Sequence, residues 1–201
     1  MMYRERKVEV TPGPTTKKAK KGLPERWLEA PAIGHVVADI FVPFKSPMCD
    51  LYRRFLPDDK STFTVDDVLN HTNLESRRIA LWLDLTLTDR YYDKSDVIKS
   101  GCFYHKLPID GNKRPPTRED VQHFNSVVDS FLAKHPNNLI GVHCTHGLNR
   151  TGFLICAYLI ANMNYTPEKA VALFAEKRQG GIEKKDYILE LRRYAQGRLG
   201  A

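Results

Sequence analysis

Three consecutive blocks decide the fold: Leu139-Ile140-Gly141-Val142, then His143-Cys144-Thr145-His146-Gly147-Leu148-Asn149-Arg150, then Thr151-Gly152-Phe153-Leu154-Ile155-Cys156-Ala157-Tyr158-Leu159-Ile160. The first is a short apolar strand, the second a loop containing glycine, and the third a helix apolar enough to be buried on most sides. In a layered α/β architecture, ligands collect where a strand gives way to such a loop. A loop running from strand into helix turns successive backbone N–H groups inward, and the positive end of the helix dipole points at the same place. The expected product is a phosphate cradle.

The side chains in that loop specify a chemistry. Cys144, at its base, is placed under the N–H groups and near Arg150, an environment that lowers a thiol pKa and holds a thiolate ready as a nucleophile. Gly147 permits the tight turn. Arg150 is placed to present its planar fork to two phosphoryl oxygens, a contact that lysine does not reproduce. The Thr151 hydroxyl is positioned to hydrogen-bond the sulfur and help it leave. His143 either tunes Cys144 or is a satisfied structural histidine at the end of a buried strand. With six specified positions at about one in twenty each, chance occurrence is below about one in 10^5.

Outward from the loop, strands and helices alternate. Val36–Phe44, Ile79–Leu85 and Cys102–Leu107 read as strands. Thr64-Val65-Asp66-Asp67 opens a helix, the stretch Asp93 to Ser100 forms a short one that stops at Gly101, and Thr117-x-x-Asp120 opens a longer one. Val121, Phe124, Val127, Val128, Phe131 and Leu132 give that helix one buried face through about His135. Thr166-Pro167 starts another helix, and Lys184 to Tyr194 supplies the last. This alternation predicts an α/β fold, a central, mostly parallel sheet with helices on both faces.

The chain has 201 residues, a net charge of +7 and a sequence pI near 9.2, which suggests an anionic partner. Residues 1–22 carry +5 of that charge, with Pro12 and Pro14 and little that is large and apolar. They are expected to be a disordered basic tail, and residues 23–201 a single catalytic domain holding only +2. The run Lys17-Lys18-Ala19-Lys20-Lys21 fits a nuclear-import signal, a phosphate-backbone tether or a solubilising tail. No apolar run approaches the length of a membrane span, so a soluble intracellular protein is expected. The cysteines at 49, 102, 144 and 156 form no Cys-x-x-Cys pair.

The stretch His143-Cys144-Thr145-His146-Gly147-Leu148-Asn149-Arg150-Thr151-Gly152 resembles the His-Cys-x5-Arg-Thr/Ser-Gly signature of the cysteine-dependent phosphatases. Its filling resembles the RNA 5′-triphosphatase branch. Pro24-Glu25-Arg26-Trp27, Leu83-Asp84-Leu85-Thr86 and Arg90-Tyr91-Tyr92-Asp93 are similar to segments of the same branch, so the likeness covers about residues 23 to 195. The resemblance implies a protein-tyrosine-phosphatase-like fold. It also implies removal of the γ and then the β phosphate from triphosphorylated RNA, through a phosphocysteine and without metal or cofactor. Cys144, Arg150 and Thr151 would be catalytic, and Thr145, His146, Gly147, Leu148, Asn149 and Arg150 would hold phosphate through the loop. The implied partners are triphosphorylated RNA and RNP proteins, not DNA or membrane. The expected protein is a monomer, nuclear with the cytoplasm left open.

Three further expectations concern the mouth of the site. Position nominates Asp110, in Ile109-Asp110-Gly111-Asn112-Lys113-Arg114, as a general acid, the alternative being a turn-forming Asp-Gly pair. Arg90, Lys113, Arg114 and Arg178 are candidate contacts for the trailing phosphates and first nucleotides. Tyr91, Tyr92 and Trp27 are candidates to stack a base or are core. A dual-specificity protein or phosphoinositide phosphatase, and a non-catalytic RNA- or RNP-binding module, remain as competing readings.

Overall fold

The computed structural model describes residues 22–71, 74, 77–111 and 114–197. Apart from Gly22, the expected basic tail lies outside the described residues. Four strands, β1 (Phe41–Lys45), β2 (Ile79–Asp84), β3 (Phe103–Lys106) and β4 (Leu139–Cys144), form a sheet in the order β1-β4-β2-β3. Every pairing is parallel, with Phe41 opposite Ile140, Leu83 opposite Val142 and Trp82 opposite Tyr104. The expected α/β layering is therefore present, and the sheet is parallel throughout.

The α-helices among the described residues are α1 (Val65–Leu69), α2 (Lys94–Lys99), α3 (Arg118–Leu132), α4 (Asn149–Asn162), α5 (Pro167–Lys177) and α6 (Lys185–Ala195). Four of them start where a side chain satisfies free N–H groups. Thr64 with Asp67, and Thr117 with Asp120, form reciprocal capping boxes for α1 and α3; Asp93 caps α2; Thr166 caps α5, with proline in its first turn. The start of α4 differs, because its N-cap Leu148 offers no side-chain acceptor. Those N–H groups remain available to a ligand.

β4 is buried on both faces, and its period of two sends alternate residues to two different cores. Ile140, Val142 and Cys144 join the core made with α3, α4, α5 and α6, which includes Phe124, Leu154, Phe174 and Leu191. Leu139 belongs to the other core, where Trp27, Phe44 and Trp82 meet α1 and α2. His143 points the same way, with its ring against Phe44, Trp82 and Tyr92. Register sets Lys45 beside Cys144 and Asp84 beside His143. The carboxyl ends of three strands thus converge on the cysteine.

Two boundaries differ most from the sequence reading. The strand expected from Val36 begins only at Phe41: Ala38 and Asp39 occupy left-handed backbone, with φ of 49° and 58°, and Val37 N–H donates to Phe41 O at 2.8 Å across the resulting turn. Val36 and Val37 are buried, but in a tight reversal rather than in the sheet. The helix read from Phe153 begins at Asn149, because the loop enters its first turn while still polar.

Candidate active site

The loop between β4 and α4 is shaped by bonds to its outward-facing carbonyls. Thr145 O accepts from Ser46 N–H at 3.1 Å, His146 O from Arg178 Nη2 at 2.9 Å and Gly147 O from Arg178 Nε at 3.1 Å. Gly147 has φ of 66°, and a Cβ there would collide with the Phe44 carbonyl, so a side chain is excluded by conformation and by space. With the carbonyls engaged outside, the N–H groups are left to the inside of the curl.

Cys144 is almost fully buried there. Burial alone would push its thiol up. The Arg150 guanidinium, the Thr151 hydroxyl and the N–H groups of Thr151 and Gly147 outweigh that and hold it below its ordinary value. The Thr151 hydroxyl is fully buried and finds no oxygen or nitrogen partner, which leaves the sulfur as the group it can serve. Arg150 is aimed by three contacts: Nη1 donates to Ile109 O at 2.7 Å and to Leu85 O at 3.1 Å, and Nη2 to Thr145 Oγ1 at 3.1 Å. A Cβ on Gly111 would collide with the same guanidinium. The loop after β3 therefore closes over Arg150 through glycine.

The loop is also tied to segments far away in sequence. Asn149 Oδ1 accepts from Glu183 N–H and Lys184 N–H, each at 2.9 Å, pinning the connection between α5 and α6 to the start of α4. His146 Nε2 is 2.7 Å from Glu25 O, an acceptor, so that nitrogen carries the proton. Residues 24–31 are themselves anchored by Trp27, whose Nε1–H donates to Ser46 O, and by Arg178 Nη2, which donates to Pro31 O. Lys45 donates to the carbonyls of Trp27 and Ala30 and lies 3.7 Å from the Trp27 ring centre. Burial first, and the nearby Arg178 charge second, lower the Lys45 pKa to about 8.

Behind Cys144, His143 enters a buried polar network that the sequence reading did not find. Its Nδ1 lies 3.3 Å from Cys144 O and its Nε2 is 2.7 Å from Tyr92 Oη. A carbonyl only accepts, so the neutral ring carries its proton on Nδ1 and presents Nε2 to the Tyr92 hydroxyl. Burial favours that neutral ring, against the opposing pull of Asp84. Tyr92 Oη accepts from Trp82 Nε1–H at 2.9 Å and donates to Asp84 Oδ2 at 3.0 Å. Asp84 further receives Tyr104 Oη and Lys106 Nζ, both at 2.9 Å, and two bonds from Thr86. Burial would raise the Asp84 carboxyl, but the Lys106 charge and the two bonds from Thr86 hold it below the usual carboxylate range. The sequence signal was an acid closing an otherwise apolar strand, Ile79–Asp84.

Cys144, Thr145, His146, Asn149 and Arg150 line one cavity of about 590 Å³, together with Tyr91, Gly111, Tyr187 and the segment Pro24, Glu25, Arg26. Glu183 and Lys184 complete its wall. The cations on this lining are Arg150, Arg26 and Lys184. Of the other expected basic contacts, Arg90 lines a neighbouring cavity of about 350 Å³ beyond Tyr91, which borders both spaces. Arg114 is bound to Asp120 at 3.0 Å and is absent from the lining, and Arg178 is fully buried against the outward face of the loop. Lys113 lies outside the described residues. Asp110 is half-buried beside Gly111 and is not among the lining residues. Of the aromatics, Trp27 and Tyr92 are committed to hydrogen bonds inside the core, and Tyr91 faces the cavity with the Arg90 guanidinium 4.8 Å from its ring centre.

A family model described as "Dual specificity phosphatase, catalytic domain" matches residues 64–197, which include every part of this loop and the helices around it. The chain belongs to the dual-specificity phosphatase family. It is similar to an mRNA-capping enzyme of Caenorhabditis elegans, 45% identical over 90% of this chain and 29% of that protein. An RNA/RNP complex-1-interacting phosphatase of Rattus norvegicus is 38% identical over 90% of this chain and 55% of its own length. A tyrosine-protein phosphatase of Autographa californica nuclear polyhedrosis virus is 32% identical over 84% of this chain and 98% of its own. The chain therefore spans less than a third of the capping enzymes it matches. Among solved structures, Tk-PTP in its active form aligns with a TM-score of 0.61 at 16% identity, over 83% of this chain and 97% of that one. PTPMT1 aligns with a TM-score of 0.58 at 16% identity, over 82% and 94%. This dual-specificity phosphatase thus has the fold expected from its sequence, and it is related to the capping enzymes and to the RNA-interacting phosphatases.

Proposed function

We propose that this phosphatase acts on the 5′ end of triphosphorylated RNA, releasing the γ and then the β phosphate to leave a 5′-monophosphate. The observation that carries the reading is the lining of the cavity: Arg26 and Lys184 accompany Arg150 in the space that holds Cys144, two cationic side chains beyond the one that grips the reacting phosphate, set beside Glu25 and Glu183. The names of two relatives, a capping enzyme and an RNA/RNP-interacting phosphatase, support the same substrate class. Such a substrate fits a nuclear location, with the cytoplasm left open.

In the first step the Cys144 thiolate attacks the terminal phosphorus, and the bond to the bridging oxygen breaks. That oxygen leaves with its electron pair on the shortened RNA. N–H groups of Thr145 to Arg150 and the Arg150 fork hold the equatorial oxygens, where charge shifts in the transition state. Water then attacks the phosphocysteine, releasing orthophosphate and restoring the thiolate, which accepts the Thr151 hydroxyl as donor as it departs. The same cycle repeats on the diphosphate. Lys184, whose Nζ donates to Gly111 O at 2.8 Å in the free protein, turns to the phosphates behind the reacting one. Arg178 acts on the loop rather than on RNA, and His143 holds the Cys144 carbonyl.

The test uses RNA labelled separately at the γ and β phosphates, incubated with the wild-type chain and with Cys144→Ser. Both labels are expected to be released by wild type and neither by the variant. Release of γ alone would limit the activity to a triphosphatase. Release of neither, with a phosphopeptide cleaved, would replace this reading with a protein phosphatase.

A further inference from the structure

Arg26, His146 and Glu183 line the catalytic cavity and also a smaller adjoining one of about 160 Å³. The partition between the two is largely one ion pair. Arg26 Nη2 lies 2.8 Å from Glu183 Oε1, Nη1 lies 3.5 Å from Oε2, and Nε is held by Glu29 Oε2 at 3.1 Å. The fork of Arg26 is thus spent on carboxylates in the free protein, at a wall built to meet anions.

Several observations make this arrangement one that can be undone. The Arg26 and Glu183 side chains are 56% and 34% exposed, and solvent screens an ion pair at such exposure, so little holds it shut. A phosphate offers the guanidinium the same two-oxygen contact with more charge. A carboxylate beside the path of a polyanion opposes its entry, so moving Glu183 aside removes a repulsion as well as freeing a donor. The backbone of Arg26 does not need to move: its φ of 57° is held by the buried neighbour Trp27, which is locked to Ser46 and capped by Lys45. Glu183 is fixed at its backbone, through the bond its N–H gives to Asn149, and only its carboxylate swings.

We propose that the Arg26–Glu183 pair is a latch that the second phosphate of the substrate opens by taking the Arg26 fork from Glu183, so that Arg26 distinguishes a phosphate chain from a single phosphate. The inference rests on the phosphate-chain substrate proposed above. Orthophosphate, held by the loop and Arg150, reaches no further than the loop. A chain of phosphates reaches the latch.

The test is calorimetric binding of orthophosphate and of inorganic tripolyphosphate to the full chain carrying Cys144→Ser, which stops turnover. Tripolyphosphate is expected to bind at least about tenfold tighter than orthophosphate, a gain in line with one added charge-assisted bidentate contact. Arg26→Ala should narrow that ratio to within about threefold, and Glu183→Gln should widen it by about threefold. In the Arg26→Ala background the gain from Glu183→Gln should disappear, because nothing remains to be released. Arg26→Lys keeps the charge without the fork and should fall between, which decides the matter if the alanine variant melts early. Equal affinity for the two anions in the starting chain overturns the latch, as does a Glu183→Gln gain that persists undiminished without Arg26. If wild type releases no phosphate from RNA while the ratio still follows these two residues, the RNA reading falls and the latch stands.

Discussion

Two arginines reach the loop between β4 and α4 from different sides, and their surroundings differ in kind. Arg150 lines the cavity and donates to two backbone carbonyls and to the Thr145 hydroxyl, contacts an arriving anion can join or replace. Arg178 is fully buried and donates to three backbone carbonyls, two of them the loop's own. Burial brings its pKa down to about 10, partly offset by the Cys144 thiolate, so it remains charged near neutral pH. One arginine faces the reaction. The other turns peptide groups so that their N–H ends face it. A phosphate cradle built from backbone needs both, because peptide dipoles point inward only if their carbonyls are satisfied outside.

The widest separation between the two sides comes from removing the chemistry outright. Cys144→Ser is expected to reduce turnover by at least about a thousandfold, and Arg150→Lys to recover little of what Arg150→Ala loses, since the planar fork is what is missing. All three variants should melt close to wild type. Arg178→Met should do the opposite in the first instance. It leaves the loop carbonyls at 146 and 147 without donors and should lower stability by about 3–5 kcal/mol, read from denaturant unfolding, with activity falling as the loop relaxes. If Arg178→Met melted like wild type but lost RNA binding, the arginine would be a substrate contact after all and the contrast would collapse.

The front of the loop was legible in sequence because it is contiguous. Cys144, Gly147, Arg150 and Thr151 fall within one strand-to-helix passage, and the nine consecutive buried residues from Thr151 to Leu159 announce the helix that supports it. The back was not. Arg90, Arg114 and Arg178 look alike as letters, and only the packing of α5 and of residues 24–31 makes one of them a buried buttress. The same holds for Arg26, which reaches the cavity because Trp27 and Lys45 fold its segment back. Lys184 is there because Asn149 draws its connection against α4. The polar network behind His143 likewise joins residues from β2, β3 and β4, and no local pattern encodes such a meeting.

A finer test of the front face uses pH. The reactive form is the thiolate, and the Thr151 hydroxyl is one of the groups that hold the Cys144 thiol below its ordinary value. Removing a donor to the charged form raises a pKa. Thr151→Val should therefore move the acidic limb of the kcat/KM profile to higher pH, so that the variant loses most at the acid end and least at alkaline pH. Each pH unit of displacement corresponds to about 1.4 kcal/mol. An unmoved kcat/KM profile with kcat lowered would place Thr151 in the departure of the sulfur alone.

The smallest effect is expected at Asp110. Gly111, its neighbour, is what packs over Arg150, and Asp110 itself is not among the residues lining the cavity. An alkoxide or phenoxide leaving group needs a proton, whereas a departing phosphate chain is already stable as an anion, so a general acid contributes less to its expulsion. Asp110→Asn should then lower turnover of triphosphorylated RNA by less than about tenfold, with a larger loss on an aryl or alkyl phosphate if Asp110 reaches the leaving oxygen there. A loss on RNA as deep as that of Cys144→Ser would show that the loop after β3 swings inward during the reaction and brings an acid to the front of the cradle.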